Sequence, residues 1–380
     1  MRAIQMVDLK TEYQRLKTEI DTAVINVIES TAFINGKPVQ DFSRSLAEYL
    51  NVKHVIPCAN GTDALQISLM SLGLQPGDEV ITPSLTFIAT TEAVALLRLK
   101  PVFVEVDKRT FNIDVESLRK AITSKTKAVI PVHLYGQSCD MEAVMQVAKE
   151  HDLFVIEDNA QSIGGDYHFK DGTVKKTGTM GNIGTTSFYP SKNLGAYGDA
   201  GAVFTNDDEL AQKLTMIANH GQSKRYYHDV VGCNSRLDTI QAAILNIRLK
   251  HLDENINARI KVADHYDAAF AGQPIIKTPF RTGGNRHVFH QYTLTLDSGQ
   301  QGLRDALGAY LTEKQIPNII YYPVPGHRQK MFETFGGLEY HLPVTDWLTE
   351  RIISLPMHPE LDDEQLQHIT ETVLKFFENK

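Results

Sequence analysis

The chain has 380 residues, 42% of them apolar and 22% charged, the proportions of an ordinary globular protein and not of a disordered, collagen-like or coiled-coil one. At roughly 100–200 residues per domain that length suggests two or three domains, and 38 basic against 46 acidic residues give a net charge of -8, which excludes a basic nucleic-acid-binding stripe. Three scattered cysteines (Cys58, Cys139, Cys233), a start without a signal-peptide apolar stretch and no run long enough to span a bilayer all point to a soluble cytoplasmic protein, with no nucleic-acid or membrane partner expected.

The first 25 or so residues carry no pattern that assigns them to a domain. From there HVIPCA reads as a strand and GTDALQISLMSLGL as a helix, with Leu65, Leu69 and Leu72 at helical spacing. EVITP, PVFVEV, KAVIPVHLY, LFVIED, TTSFY and GAVFTN are further extended runs. The helical patterns ATTEAVALLRL, VESLRKAI and MEAVMQVAKEH alternate with the earlier ones. Such alternation predicts an α/β domain, a mainly parallel sheet covered by helices, over residues 1–245. DDELAQKLTMIAN is the next helix, followed by a polar, aromatic loop, HGQSKRYYHDVVGCNS. One long helix is expected from Arg236 to near Phe270. QYTLTL as a strand, LRDALGAYLTEKQ as a helix and DDEQLQHITETVLKFFEN as a final amphipathic helix make residues 246–380 a smaller α+β domain.

Three stretches carry chemistry. In CANGTDALQ a strand runs into a Gly-containing turn that opens a helix, and free N–H groups with the positive dipole end suit a phosphate. The plainer reading is that Thr62 or Asp63 only caps that helix. In FVIEDNAQS an apolar strand delivers Asp158 at its carboxyl end, the edge where open α/β sheets bind ligands; pairing with a cation, holding a metal and capping the next helix all stay open. Glu157 should face the other side of the sheet, and no His cluster of metal-ligand spacing lies close by, so no metal is expected. In TSFYPSKNLGAYGDAGAVFT, Lys192 sits in a Gly-rich loop between two apolar strands, placed to have its pKa lowered and to form a Schiff base. A phosphate site, an acid at a strand end and such a lysine, in that order, are what pyridoxal phosphate requires.

The motifs ANGTDAL, PSLTFIAT, IEDNAQS, SFYPSKNLGAYGDAGA, NSRLDTIQAAIL and LPMHP, spread over nearly the whole chain, resemble the sugar aminotransferases of the DegT/DnrJ/EryC1/StrS family. The resemblance implies a fold type I pyridoxal-phosphate enzyme with a seven-stranded sheet. It implies Lys192 as the Schiff-base lysine, Asp158 as partner of the pyridine nitrogen and Gln161 near the phenolic oxygen. Thr62, Asp63 and Ser187 then hold the phosphate, Gly61 shapes that loop, and Phe87 stacks on the ring. Asn234 reaches the phosphate of a neighbouring subunit, so a homodimer with sites at the subunit interface is expected. The implied reaction transfers the amino group of L-glutamate to a nucleotide-linked keto sugar for lipopolysaccharide or surface-polysaccharide synthesis. The subgroup most like this chain acts on UDP-2-acetamido-2-deoxy-3-oxo-glucuronate, and meets its carboxylate with an arginine, here Arg236, and a His-Tyr pair that reads Tyr321-Tyr322 in this chain. A dTDP- or UDP-linked 3-keto or 4-keto-6-deoxy sugar is the alternative substrate, and a catalytically retired regulator the alternative role.

Other classes fit less well. The dehydratase branch of the family carries His in place of Lys192, and no strand leads into the GxGxxG of a dinucleotide site. His287 and His290 read as surface or packing residues, Trp347 as helix packing and His133 as a candidate pocket wall. His327, Arg328 and Lys330 lie in a loop that could steer a diphosphate or simply be solvated.

Overall fold

The computed structural model describes residues 2–378, so Asn379, the last residue of the expected final helix, lies outside it. Seven strands form the central sheet: β1 (His54–Cys58), β2 (Glu79–Pro83), β3 (Lys100–Val104), β4 (Thr126–Val129), β5 (Phe154–Asp158), β6 (Ile183–Ser187) and β7 (Gly201–Thr205). Their order is β1-β7-β6-β5-β4-β2-β3. Only β7 runs against its neighbours; β6, β5, β4, β2 and β3 pair in parallel. Six carboxyl ends therefore open on one edge, where the loops of interest begin.

The helices before and within the sheet are α1 (Leu9–Ser30), α2 (Lys37–Leu50), α3 (Gly61–Ser71), α4 (Ala89–Leu96), α5 (Val115–Ala121), α6 (Met141–Glu150) and α7 (Asp208–Ala218). Alternate residues of each strand supply opposite faces. Val80, Ala128 and Ile156 pack with Ala64, Leu65 and Leu69 of α3 and Leu214 of α7. Ile81, Val129 and Val155 pack with Leu118 of α5 and Val144 and Val147 of α6. Continuous burial on both faces is what makes these strands read as unbroken apolar runs.

The chain continues through α8 (Thr239–Lys250), α9 (Leu252–Phe270), α10 (Leu303–Glu313), α11 (Pro343–Thr349) and α12 (Asp363–Glu378). An antiparallel sheet of β8 (Ile276–Lys277), β9 (Tyr292–Leu296) and β10 (Ile352–Leu355) packs Tyr292, Leu294 and Ile353 against Leu307 of α10 and Ile369 of α12. Residues 236–270 are not one helix, because the chain leaves helical geometry at His251 (φ -101°, ψ 2°). KAVIPVHLY pairs regularly only to Val129; Pro131 offers no N–H to a ladder, and the chain turns through Leu134–Gly136. The polar loop after α7 contains a short hairpin, Gln222–Lys224 with Tyr227–His228.

The N-terminal segment touches both parts of the molecule. Ile4 joins the core of the small sheet, whereas Leu16 and Ile20 of α1 pack on Ile244 and Ile247 of α8. Between them, buried Glu12 accepts from Arg248 Nη2 at 2.6 Å and Nε at 3.2 Å and from Asn255 Nδ2 at 3.3 Å. Removing one member of a buried ion pair leaves the other charge uncompensated. Glu12→Ala is expected to lower unfolding free energy by about 3–5 kcal/mol, read from chemical denaturation. A loss under about 1 kcal/mol would show that Arg248 needs no counter-charge there.

Candidate active site

Asp158 ends β5 and is 6% exposed, with Glu157 on the opposite face as strand alternation requires. Its Oδ1 accepts from Ala160 N–H at 3.2 Å and its Oδ2 from the Thr90 hydroxyl at 2.8 Å, so it closes a local turn and caps no helix. Glu157 accepts from Gly178, Met180 and Gly181 N–H groups at 2.9, 2.5 and 2.6 Å. It also accepts from Nε2 of buried His133 at 2.8 Å, while His133 Nδ1 accepts from Cys139 N–H at 3.1 Å. His133 is thus a strut behind the sheet edge and no pocket wall.

Lys192 lies in the loop between β6 and β7, on the same edge. Its N–H donates to Tyr189 C=O at 2.8 Å, Ala196 N–H returns to Phe188 C=O at 2.7 Å, and Arg248 Nη1 donates to Gly195 C=O. A Cβ on Gly195 would come within 2.4 Å of Pro190 O, so the loop needs glycine to turn this tightly. Nζ has no hydrogen bond among the described residues. Burial pulls its pKa from 10.5 to about 8, against the opposing charge of Asp158. The neighbouring Asn193 amide donates to Val288 C=O at 2.9 Å, bringing the 287–290 segment against this loop. His287 and His290 are both buried there. Burial pushes His287 down to about 3 and His290 well below its ordinary value, helped in His290 by the Lys192 and Arg259 charges. Both are packing residues held neutral.

The helix α3 begins against the same edge. Its cap is Asn60, a residue the sequence reading passed over, and neither Thr62 nor Asp63: Asn60 Oδ1 accepts from Asp63 N–H at 2.8 Å and Asn60 C=O from Ala64 N–H at 3.1 Å. That leaves the N–H groups of Gly61 and Thr62 without intrahelical acceptors. Gly61 lies so close to Ser187, at the end of β6, that a Cβ would sit 2.7 Å from Ser187 Cβ and 3.3 Å from its Oγ. Gly61→Ala is therefore expected to displace Ser187 and raise the dissociation constant for pyridoxal phosphate about tenfold or more, measured by equilibrium fluorescence. An unchanged constant would remove this turn from the site.

Gln161 is fixed at both ends of its amide. Oε1 accepts from Tyr135 N–H at 2.7 Å, and Nε2 donates to Tyr322 Oη at 3.1 Å. Tyr135 Oη donates to Tyr321 C=O, tying the large sheet to the 321–322 loop. The Tyr322 ring lies 5.9 Å from that of Phe87, which is 53% exposed. The structure thus gathers Asp158, Gln161, Phe87 and Tyr322 in one neighbourhood. Asn234 and Arg236 bond to each other, Arg236 also donates to Asn219 Oδ1 at 3.3 Å, and Asn234 is exposed; Ser235 between them accepts from Ala59 N–H at 3.0 Å, beside the Asn60–Gly61 turn. His327 is not in a solvated loop; it is buried, bonded through Nδ1 to Ser84 Oγ at 2.7 Å and 3.2 Å from Asp346 through Nε2. Arg328 pairs with the same Asp346 at 2.9 Å. Trp347 packs under Lys108, whose Nζ is 3.7 Å from the ring centroid.

These residues fit pyridoxal phosphate. A cradle that a Cβ would fill offers two free N–H groups and the hydroxyls of Thr62 and Ser187 to an anion at a helix N-terminus. Buried Asp158, the exposed face of Phe87 and the half-buried amine of Lys192 would supply the remaining contacts the group needs. Among the described residues no cluster of three or more His, Cys, Asp or Glu side chains is placed to hold a metal ion, and no helix is long and apolar enough to cross a membrane.

Residues 14–374 match the DegT/DnrJ/EryC1/StrS aminotransferase family. The chain is 46% identical over 376 residues to a pleiotropic regulatory protein of Geobacillus stearothermophilus, covering 98% of each chain. It is 45% identical over 366 residues to UDP-2-acetamido-2-deoxy-3-oxo-D-glucuronate aminotransferase of Pseudomonas aeruginosa, covering 96% of this chain and 98% of that one. Its fold matches the crystal structure of S. venezuelae DesV in complex with a ketimine intermediate with a TM-score of 0.92, at 37% identity over 99% of both chains.

Proposed function

The chain belongs to the DegT/DnrJ/EryC1/StrS aminotransferase family, and on that footing we propose that it transfers the amino group of L-glutamate to a nucleotide-linked keto sugar. Pyridoxal phosphate is the cofactor, and UDP-2-acetamido-2-deoxy-3-oxo-glucuronate is the acceptor favoured by the 45% identity to the Pseudomonas enzyme. The observation that carries the reading is the placement of Lys192, in a tight loop on the same sheet edge as the buried Asp158 carboxylate, whose charge acts on it.

When bound, pyridoxal phosphate supplies an aldehyde for amine capture and a ring that delocalises electrons released at the reacting carbon. The chain does the rest. Gly61 and Thr62 N–H groups and the Thr62 and Ser187 hydroxyls hold the phosphate, with Asp63 closing their turn on Asn60. Phe87 would cover one face of the ring, Gln161 would meet its phenolic oxygen, and Asp158 would keep a proton on its nitrogen. Lys192 would hold the cofactor's aldehyde and, as a free amine, would carry the proton that leaves the substrate carbon.

A homodimer completes the site in this proposal. Ile25 and Ile28 of α1 and the following Phe33 and Ile34 are 44–54% exposed, an apolar face that supports pairing with a second copy. Asn234, exposed beside Ser235, and Arg236 would then serve the neighbour's phosphate and sugar, with Tyr321 and Tyr322 lining the sugar end. The 46% identity to a pleiotropic regulatory protein favours a second reading, a regulator that keeps the fold. The retained Lys192 argues for catalysis, since a retired regulator would be expected to lose it.

The test is incubation of purified protein, pyridoxal phosphate and glutamate with a panel of UDP- and dTDP-linked keto sugars, following the product by mass. Amination of the UDP-linked 3-oxo-glucuronate is expected. Activity confined to 4-keto-6-deoxy sugars would reject that acceptor and keep the aminotransferase. Failure to form 2-oxoglutarate with any acceptor would leave the regulator.

A further inference from the structure

The segment 86–90, which leads from β2 into the first turn of α4, carries more than the aromatic face of Phe87. Thr90 Oγ1 lies 2.8 Å from Asp158 Oδ2, and Thr86 Oγ1 lies 2.9 Å from Thr90 Oγ1; all three residues are buried. The direction of this chain follows from chemistry. An ionised carboxylate can only accept, so Thr90 gives its single hydroxyl proton to Asp158, and its oxygen is left to accept from Thr86. Two donors therefore run in series into one carboxylate oxygen, each on a β-branched side chain with few rotamers.

The arrangement also divides the carboxylate. Oδ2 is held from the side by Thr90 and Oδ1 by Ala160 N–H at 3.2 Å, which fixes the plane of the group. Thr90 stands in the first turn of α4, three residues after Phe87, so the ring-stacking face and the anchor of the ring-nitrogen acid are set by one turn of backbone. The Ile88 cap position makes no side-chain cap bond; the hydroxyls of this turn are directed sideways into Asp158 and toward Ile88 C=O.

Resting on the transaminase reading above, we propose that Thr90, backed by Thr86, is a positioning residue of the reaction: its hydroxyl aims the Asp158 carboxylate at the ring nitrogen of pyridoxal phosphate.

The test compares Thr90→Val, which keeps shape and loses the donor, with Thr90→Ser, which keeps the donor and loses a methyl group. Three quantities are read: the rate of the glutamate half-reaction, the pH midpoint of the visible band of the protein-bound cofactor, and the thermal midpoint. Thr90→Val is expected to slow the half-reaction about 10- to 100-fold, the effect of losing a hydrogen bond to a charged group, and to move the spectroscopic midpoint. Thr90→Ser is expected within about threefold of the parent in rate, with the parent's midpoint, although its thermal midpoint falls as far as that of the valine variant. Valine and serine variants equally slow would assign Thr90 to packing alone, and a valine variant with parental rate and spectrum would overturn the proposal. If the parent protein itself forms no visible band with pyridoxal phosphate, it is the transaminase reading that fails.

Discussion

Lys192→Ala is expected to bind pyridoxal phosphate without covalent attachment and to lose turnover by at least about 10⁴-fold, because one amine is both covalent anchor and proton carrier. The lowered pKa gives the prediction a second arm. A group of pKa about 8 is roughly one-quarter unprotonated near pH 7.5, against about 0.1% at its ordinary 10.5. Only the unprotonated amine is a nucleophile, so cofactor capture by the parent protein should speed up as pH rises and level off above about 8. Stopped-flow growth of the visible band measures it. Capture still climbing steadily above pH 9 would mean that burial does not set this amine's pKa. Borohydride reduction and peptide mapping should place the label at residue 192. Turnover of the alanine variant within tenfold of the parent would end the assignment of this lysine.

The parts of this site that could be read along the chain are those whose chemistry is local. Asp158 stands at the end of a continuous apolar run, and Lys192 in a Gly-rich loop between two strand segments, so both announce themselves locally. Asn60 was equally local and still escaped, because any of the three polar residues around Gly61, Asn60, Thr62 or Asp63, can cap a helix and only geometry chooses among them. Thr90 was beyond reach for a different reason. It meets Asp158 across 68 residues because β2 and β5 flank β4, an order that no spacing encodes. The same holds for Tyr135, which joins Gln161 to the 321–322 loop through two bonds spanning 26 and 186 residues. His327 looked solvated because it follows a Pro-rich turn among charged residues, yet its partners, Ser84 and Asp346, come from two distant segments. The break at His251 was hidden too, since α8 and α9 are both good helices and the junction has neither Gly nor Pro.

Asp158→Asn tests the electrostatic half of the site. Asparagine fills the same space and can still accept from Thr90, so the fold around β5 should survive, but it carries no negative charge to hold a proton on the ring nitrogen. With the nitrogen unprotonated the ring withdraws electrons weakly, and the proton-removal step loses the stabilisation that a fixed charge in a buried site provides. The glutamate half-reaction is expected to slow by about 10³-fold, while affinity for the cofactor's phosphate end changes by less than about tenfold. A cofactor analogue methylated on the ring nitrogen carries its positive charge permanently and needs no acid, so it should narrow the gap between variant and parent. A variant within tenfold of the parent, or one the analogue makes no better, would mean that the Asp158 charge serves the packing around Thr90 and Ala160 and not the reaction.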